Sequence, residues 1–145
     1  MGEIVERELK GTGVPHDMVD DFWSESLPWI ESALKHGHGE FEAQDIHEAL
    51  LSKDMQLWVI YEKPKNNIVL VVVTQILDYP RMKVCRIVVL GGESHLLWET
   101  KLFILEEWAK EQGCKRIEAY CRDGLQKKLE KLGYNKLYNW VGANL

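Results

Sequence analysis

The order of patterned segments constrains this chain more than any single motif. Residues 56–62 (QLWVIYE), 68–77 (IVLVVVTQIL) and 83–90 (KVCRIVVL) are runs rich in β-branched and aromatic residues. Only KPKNN and DYPRM separate them, and segments that short join antiparallel neighbours. The middle run alternates little, as expected of a strand covered on both faces. Pro80 blocks continuation of that strand, and Gly91-Gly92 stop the next one. The period then becomes helical. Leu97, Leu102, Leu105, Trp108 and Ala109 form an apolar stripe that Gly113 ends. RIEAYCR (116–122) reads as a strand, GLQKKLEKL (124–132) as a helix closed by Gly133, and KLYNWVGA (136–143) as a last strand.

Upstream the pattern is mostly helical. Residues 3–9 carry a weak first strand. From Pro15 onward, Met18, Phe22, Trp23, Leu27, Ile30 and Leu34 recur at three- and four-residue steps. Pro15 suits a first turn, whereas Pro28 inside the pattern predicts a kink or two abutting helices. Gly37 and Gly39 end this stretch, and Phe41, Ile46, Leu50 and Leu51 mark a second, shorter helix. The expected order is an antiparallel meander running into a βαβ unit, followed by a helix and a final strand, in an α+β class.

At 145 residues the chain fits one domain, residues 1–145. A composition of 46% hydrophobic and 28% charged residues excludes disorder. The apolar runs are too short to span a bilayer, and MGEIVERELK has no apolar signal region. The expectation is a cytoplasmic protein without membrane association. A formal net charge of -5 gives no reason to expect nucleic-acid binding. The charge is unevenly spread: residues 1–54 carry 13 Asp/Glu against 4 Lys/Arg, and residues 55–145 carry 10 against 14. A basic C-terminal portion suits a small polyanion such as a nucleotide cofactor. Cys85, Cys114 and Cys121 are odd in number and lack C-x-x-C spacing, so they read as buried free thiols. His36-x-His38 has no third ligand at a matching spacing, so no metal is expected.

Two segments carry a family resemblance. LEEWAKEQGC (105–114) running into KRIEAYC, and LQKKLEKLGYNKL (125–137), resemble the third helix and fifth strand, then the fourth helix and sixth strand, of the GNAT acyl-CoA N-acyltransferase superfamily. Together with the strands from Gln56, the similarity covers about residues 56–140. The "MQLWV", "VVV" and "LGG" segments also resemble small GNAT-like proteins of tailed phages and prophages. The resemblance implies a mixed central sheet of six to seven strands. Its N-terminal part would be mainly antiparallel, its central parallel strands splayed, and about four helices would flank it. It also implies acetyl-CoA as cofactor, with the pantetheine arm on backbone groups of Val88, Val89 and Leu90. A phage origin would place the protein in the host cytoplasm or the virion.

In the family the pyrophosphate lies on amides of a Q/R-x-x-G-x-G/A loop at the start of the third helix, where free N–H groups and the helix dipole favour an anion. That loop aligns with residues 93–98, placing Glu93 where an arginine-like residue is usual and Ser94, Leu96 and Trp98 at the glycine-like positions, where small residues are usual. Gly91 and Gly92, with Ser94 as helix N-cap, are a candidate shifted nest of amides; simple strand termination is the alternative. Trp98 either plugs the cleft or walls a different ligand, and His95 is either a proton carrier or a surface residue. The tyrosine that protonates the leaving thiolate in many members aligns with Leu129, and the asparagine before that helix aligns with Arg122. Arg122 therefore joins the cofactor-binding candidates. Tyr120 is a substitute acid if its side chain faces the splay, and Glu118 is a candidate base. Strand alternation puts both on one polar face, which is either the cleft or solvent.

The function expected from this pattern is transfer of an acetyl group from acetyl-CoA to a small-molecule or protein amine acceptor, with an atypical pyrophosphate loop. The acidic N-terminal helices favour a cationic acceptor or, equally, a protein partner. The alternatives are a catalytically inactive GNAT-fold binding or virion-associated protein, and an unrelated α/β ligand-binding module.

Overall fold

A computed structural model of the chain describes residues 7–93 and 101–145. Five strands are hydrogen-bonded in the order β1-β2-β3-β4-β5. They are β1 (Leu9–Val14), β2 (Gln56–Glu62), β3 (Asn67–Tyr79), β4 (Met82–Gly92) and β5 (Arg116–Ala119). Neighbours are antiparallel from β1 to β4, whereas β4 and β5 are parallel. Among the described residues four α-helices flank the sheet: α1 (Val19–Leu34), α2 (Ala43–Leu51), α3 (Leu102–Glu111) and α4 (Asp123–Glu130). Among the described residues, no helix is long and apolar enough to cross a membrane.

Each face of the sheet has its own core. Ile30 of α1 and Ile46 and Leu50 of α2 pack with Leu57, Val59, Val71, Val73 and Val89. On the other face Leu102, Leu105 and Ala109 of α3 and Leu129 of α4 meet Leu70, Cys85 and Ile87. Adjacent residues of β3 thus serve opposite cores, which is why that strand reads as a nearly unbroken apolar run. Each fully buried aliphatic side chain contributes roughly 1.5–3 kcal/mol. Trp58 adds a polar tie: its indole N–H donates to Thr74 Oγ1 at 2.9 Å, and Thr74 Oγ1 donates to Gln56 Oε1 at 2.9 Å. Its ring meets Trp108 edge-on, with centroids 5.0 Å apart.

Several sequence expectations need correction. The strand expected at residues 3–9 lies mostly outside the described residues, which begin at residue 7, and the first described strand is Leu9–Val14. Its LKGTGV pattern is hidden by glycines that the packing requires, since a Cβ on Gly13 would come 3.1 Å from the Trp58 ring. Of the two readings of Pro28, a kink or two abutting helices, the second does not hold, since α1 runs through Pro28 as one helix. The N–H that Pro28 lacks is offset by tertiary docking: Trp29 Nε1 donates to Ile68 O at 3.2 Å, and Ile68 N donates to Glu25 Oε2 at 3.3 Å. The helix read from Leu97 is described only from Leu102. Cys121 is exposed, unlike the buried Cys85 and Cys114.

The largest correction is at the C-terminus. Residues 136–143 form no strand, so the described sheet has five strands and not six or seven. β5 is only four residues long and offers little edge to pair with. Tyr138, Trp140 and Val141 are instead 72%, 77% and 92% exposed.

β4 also extends further than read, through Gly91 and Gly92, which pair with Val71 and Leu70. A Cβ on Gly91 would lie 2.3 Å from the Trp29 carbonyl oxygen of α1. Close approach of a helix backbone, and not a turn, explains this glycine. Gly91→Ala is expected to destabilise the fold by about 1–3 kcal/mol, the usual cost of overpacking. Gly113→Ala, at φ +85° with open space around it, is expected to cost about 1 kcal/mol through backbone strain alone. Urea midpoints of the two variants test the ordering.

Candidate active site

The site begins with a register break. Val73 of β3 faces Val89 of β4, and Thr74 faces Ile87, so Val88 is an extra residue without a counterpart. Such a bulge bends its strand and increases local twist. On its other edge β4 pairs with β5 only from Val84↔Arg116 to Ile87↔Ala119. Beyond Ile87, β4 continues to Gly92 while β5 has ended. The two parallel strands therefore fork at the residue where the bulge begins. Within the fork Val89 turns into the α1–α2 core and Leu90 toward α3, and among the described residues no strand pairs with this edge of β4.

Tyr120 follows the last paired residue of β5 and is 58% exposed. The Arg86 guanidinium carbon lies 4.7 Å from its ring centroid, and the Trp140 ring lies 5.5 Å away. Glu118, with its side chain only 12% exposed, is the centre of an ionic cluster. Arg86 donates to Glu118 Oε1 from Nε at 3.0 Å and from Nη2 at 2.8 Å. The Tyr79 hydroxyl donates to the same oxygen at 3.1 Å, and Arg116 Nη2 donates to Oε2 at 3.0 Å. Burial alone would raise the Glu118 pKa, but hydrogen bonds from Arg86, Arg116 and Tyr79 outweigh it, and the net shift is downward. A carboxylate held ionised with both oxygens engaged is a poor acceptor for an ammonium proton. Glu118 is thus arranged to anchor arginine rather than to act as the base proposed from sequence.

The remaining candidates are dispersed. Gly91 and Gly92 lie within β4, and the adjacent Glu93 N–H is already bonded to Val69 O at 2.9 Å. The Glu93 carboxylate faces Arg7 at 3.4 Å. Ser94, His95 and Trp98 fall outside the described residues. Arg122 is exposed at the N-cap of α4, with its carbonyl accepting the Gln126 N–H at 3.0 Å. Leu129 is buried in the α3–α4 core. Tyr134 bonds Glu106 at 3.3 Å, and burial, reinforced by that carboxylate, raises its pKa. A cleft of about 880 Å³ is lined by Arg86, Arg116, Glu118, Tyr120, Tyr134 and Trp140 among others.

Sequence reasoning missed Arg86, Tyr79 and Trp140. The signal for Arg86 was present: it is a charged residue in the middle of an apolar strand, between Cys85 and Ile87, that both neighbours cover. Trp140 was assigned to a strand that does not form.

No protein-family model matches the chain, and no curated protein matches it. Solved structures do. The aminoglycoside N-acetyltransferase AAC(6')-Iy in complex with CoA is 9% identical with a TM-score of 0.74, covering 97% of each chain. A Trypanosoma brucei acetyltransferase is 16% identical with a TM-score of 0.71, covering 95% of this chain and 100% of that one. A predicted acetyltransferase from Clostridium acetobutylicum, solved with acetyl-CoA, is 13% identical with a TM-score of 0.68, covering 94% and 96%. The chain therefore shares the fold of these acetyltransferases, an α+β architecture with a five-stranded mixed sheet and four α-helices in the described residues. At these identities the likeness is one of fold.

The lowered Glu118 pKa makes a stability prediction. Folding that depresses a carboxyl pKa below its ordinary 4.5 adds stability at neutral pH, and this is lost as pH falls through the folded value. The melting temperature is expected to decline as pH falls below about 4.5. Glu118→Gln should lower it at pH 7 and flatten the acid slope. An unchanged slope in that variant would show that the cluster contributes nothing to acid stability.

Proposed function

We propose that this protein is an N-acetyltransferase that moves the acetyl group of acetyl-CoA to an amine acceptor. The observation that carries the reading is the fork, where β4 keeps strand geometry beyond the end of β5 and, among the described residues, has no strand paired along that edge. A polar, unbranched chain such as the pantetheine arm suits that edge, with Val88, Val89 and Leu90 supplying the backbone groups. When bound, acetyl-CoA supplies a thioester carbonyl; the C–N bond to the amine forms as the C–S bond breaks, and the departing sulfur takes a proton. Tyr120, exposed at the mouth of the fork, holds a hydroxyl proton for that purpose, replacing the tyrosine absent at Leu129. Glu118 serves this site by fixing Arg86, and the base that frees the amine is left to water or the acceptor.

The phosphate end fits less well. Glu93 offers a carboxylate and an amide already bonded within the sheet, so it is no donor for pyrophosphate. Arg122, exposed before α4, is the candidate cation. The Glu93 arrangement favours a second reading, a GNAT-fold protein that binds a partner and does not catalyse.

Titration calorimetry with acetyl-CoA separates the two. Binding is expected, and at about 100 times Kd the ligand should stabilise the fold by about 2.7 kcal/mol, visible as a raised melting temperature. No heat and no thermal shift at millimolar acetyl-CoA would reject the acetyltransferase and leave the binding protein.

A further inference from the structure

We infer that Arg86 is a positioning residue that holds the Tyr120 side chain at the mouth of the β4–β5 fork, an assignment resting on the acetyltransferase reading. The Tyr120 ring is too exposed for the core to fix it, at 58%. Its described aromatic and cationic contacts are Arg86, at 4.7 Å, and Trp140, at 5.5 Å. Trp140 is itself 77% exposed, so of the two Arg86 is the contact that is held in place, and it is what fixes the ring.

Arg86 is held unusually firmly for a partly exposed arginine. Nε and Nη2 both donate to Glu118 Oε1, at 3.0 and 2.8 Å, and Nη2 also reaches the Tyr79 hydroxyl at 2.8 Å. Tyr79 and Arg116 bond Glu118 in turn, at 3.1 and 3.0 Å, so the carboxylate cannot swing. A guanidinium donates in its own plane, and here its carbon stays 4.7 Å from the Tyr120 ring centroid while Nε and Nη2 are engaged. Neutralising Glu118 would require only a point charge, which a lysine provides. Bonding Glu118 and Tyr79 together while keeping the cation against the Tyr120 ring uses the several donors of a guanidinium. The cluster also sits one step before the last paired residues, Ile87 and Ala119, so its rigidity is delivered where the strands part.

The test uses the full chain and the variants Arg86→Lys, Arg86→Leu, Tyr120→Phe and Arg86→Lys/Tyr120→Phe. The lysine keeps a charge beside Glu118 and is expected to fold like the parent. The first readout needs no turnover. With ring-labelled tyrosine, the five tyrosines give resolvable NMR signals, and Tyr120→Phe identifies one by its loss. In Arg86→Lys that signal should move toward the position of the freely exposed Tyr138. An unmoved signal in both Arg86 variants overturns the inference.

The second readout is acetyl-CoA consumption with an amine acceptor. Tyr120→Phe should lower kcat by about 10²-fold, a typical general-acid contribution. Arg86→Lys should lower kcat about tenfold or more while changing the acetyl-CoA KM by less than about twofold, the pattern of a lost transition-state interaction. The double variant should be no slower than Tyr120→Phe, because residues acting as a unit are not additive. Multiplicative losses would show that Arg86 acts independently of Tyr120 and would reject the assignment. If the parent protein binds no acetyl-CoA, the functional reading fails on its own, and the Tyr120 signal still decides whether Arg86 holds the ring.

Discussion

The extra residue at Val88 organises the rest of the site. In a regular ladder β4 would stay in phase with β3 along its whole length and would remain available to β5. Inserting one residue between the pairs Val73↔Val89 and Thr74↔Ile87 bends β4 just as its pairing with β5 ends. The insertion also resets the side-chain phase. Ile87 faces the α3–α4 core, and Val89, two residues on, faces the α1–α2 core. Without the bulge, residues two apart would face the same way. The chain thus uses one residue both to open a fork and to keep each side of it packed.

The polar face of β5 follows from that opening. Where strands part, a side chain loses the neighbours that would bury it, and charge becomes tolerable. Glu118 is nevertheless mostly covered, and a covered carboxylate destabilises a fold unless its oxygens are satisfied. Two arginines and a tyrosine hydroxyl satisfy them, and the resulting downward pKa shift keeps the group ionised through the neutral range. Such a cluster gives less net stability than its count of ion pairs implies, because desolvation offsets much of the attraction. Its clearer contribution is geometric: it makes an arginine rigid at the edge of an exposed tyrosine.

Much of this architecture was legible in the residues, because the meander and the helices express periodicities set by burial. The strands from Gln56 to Arg116 and the helices around them appear at nearly the expected positions. The failures share a physical cause. LKGTGV does not read as a strand because Gly13 makes room for the Trp58 ring. KLYNWVGA reads as a strand but finds no partner, since pairing depends on the length of β5 and not on its own propensity. Gly91 and Gly92 read as a stop, yet they mark close packing of β4 on α1 and β3. The site was legible only by face: alternation put Glu118 and Tyr120 together, but the arginine that joins them lies on another strand.

The same packing limits how this fold can meet an anionic ligand. Glycines near a phosphate normally matter because they let amides approach it. Here Gly91 cannot leave the Trp29 carbonyl, and the Glu93 amide cannot leave Val69, without loosening α1 or the end of β3. An anion at the top of β4 must therefore be met after Glu93 or by side-chain cations, of which residues 55–145 have an excess. Amides approach at fixed short range, whereas lysine and arginine act at longer range and are screened by salt. A ligand held in this way would be bound chiefly by its extended arm along the Val88 fork, with its charged end contributing attraction more than geometry.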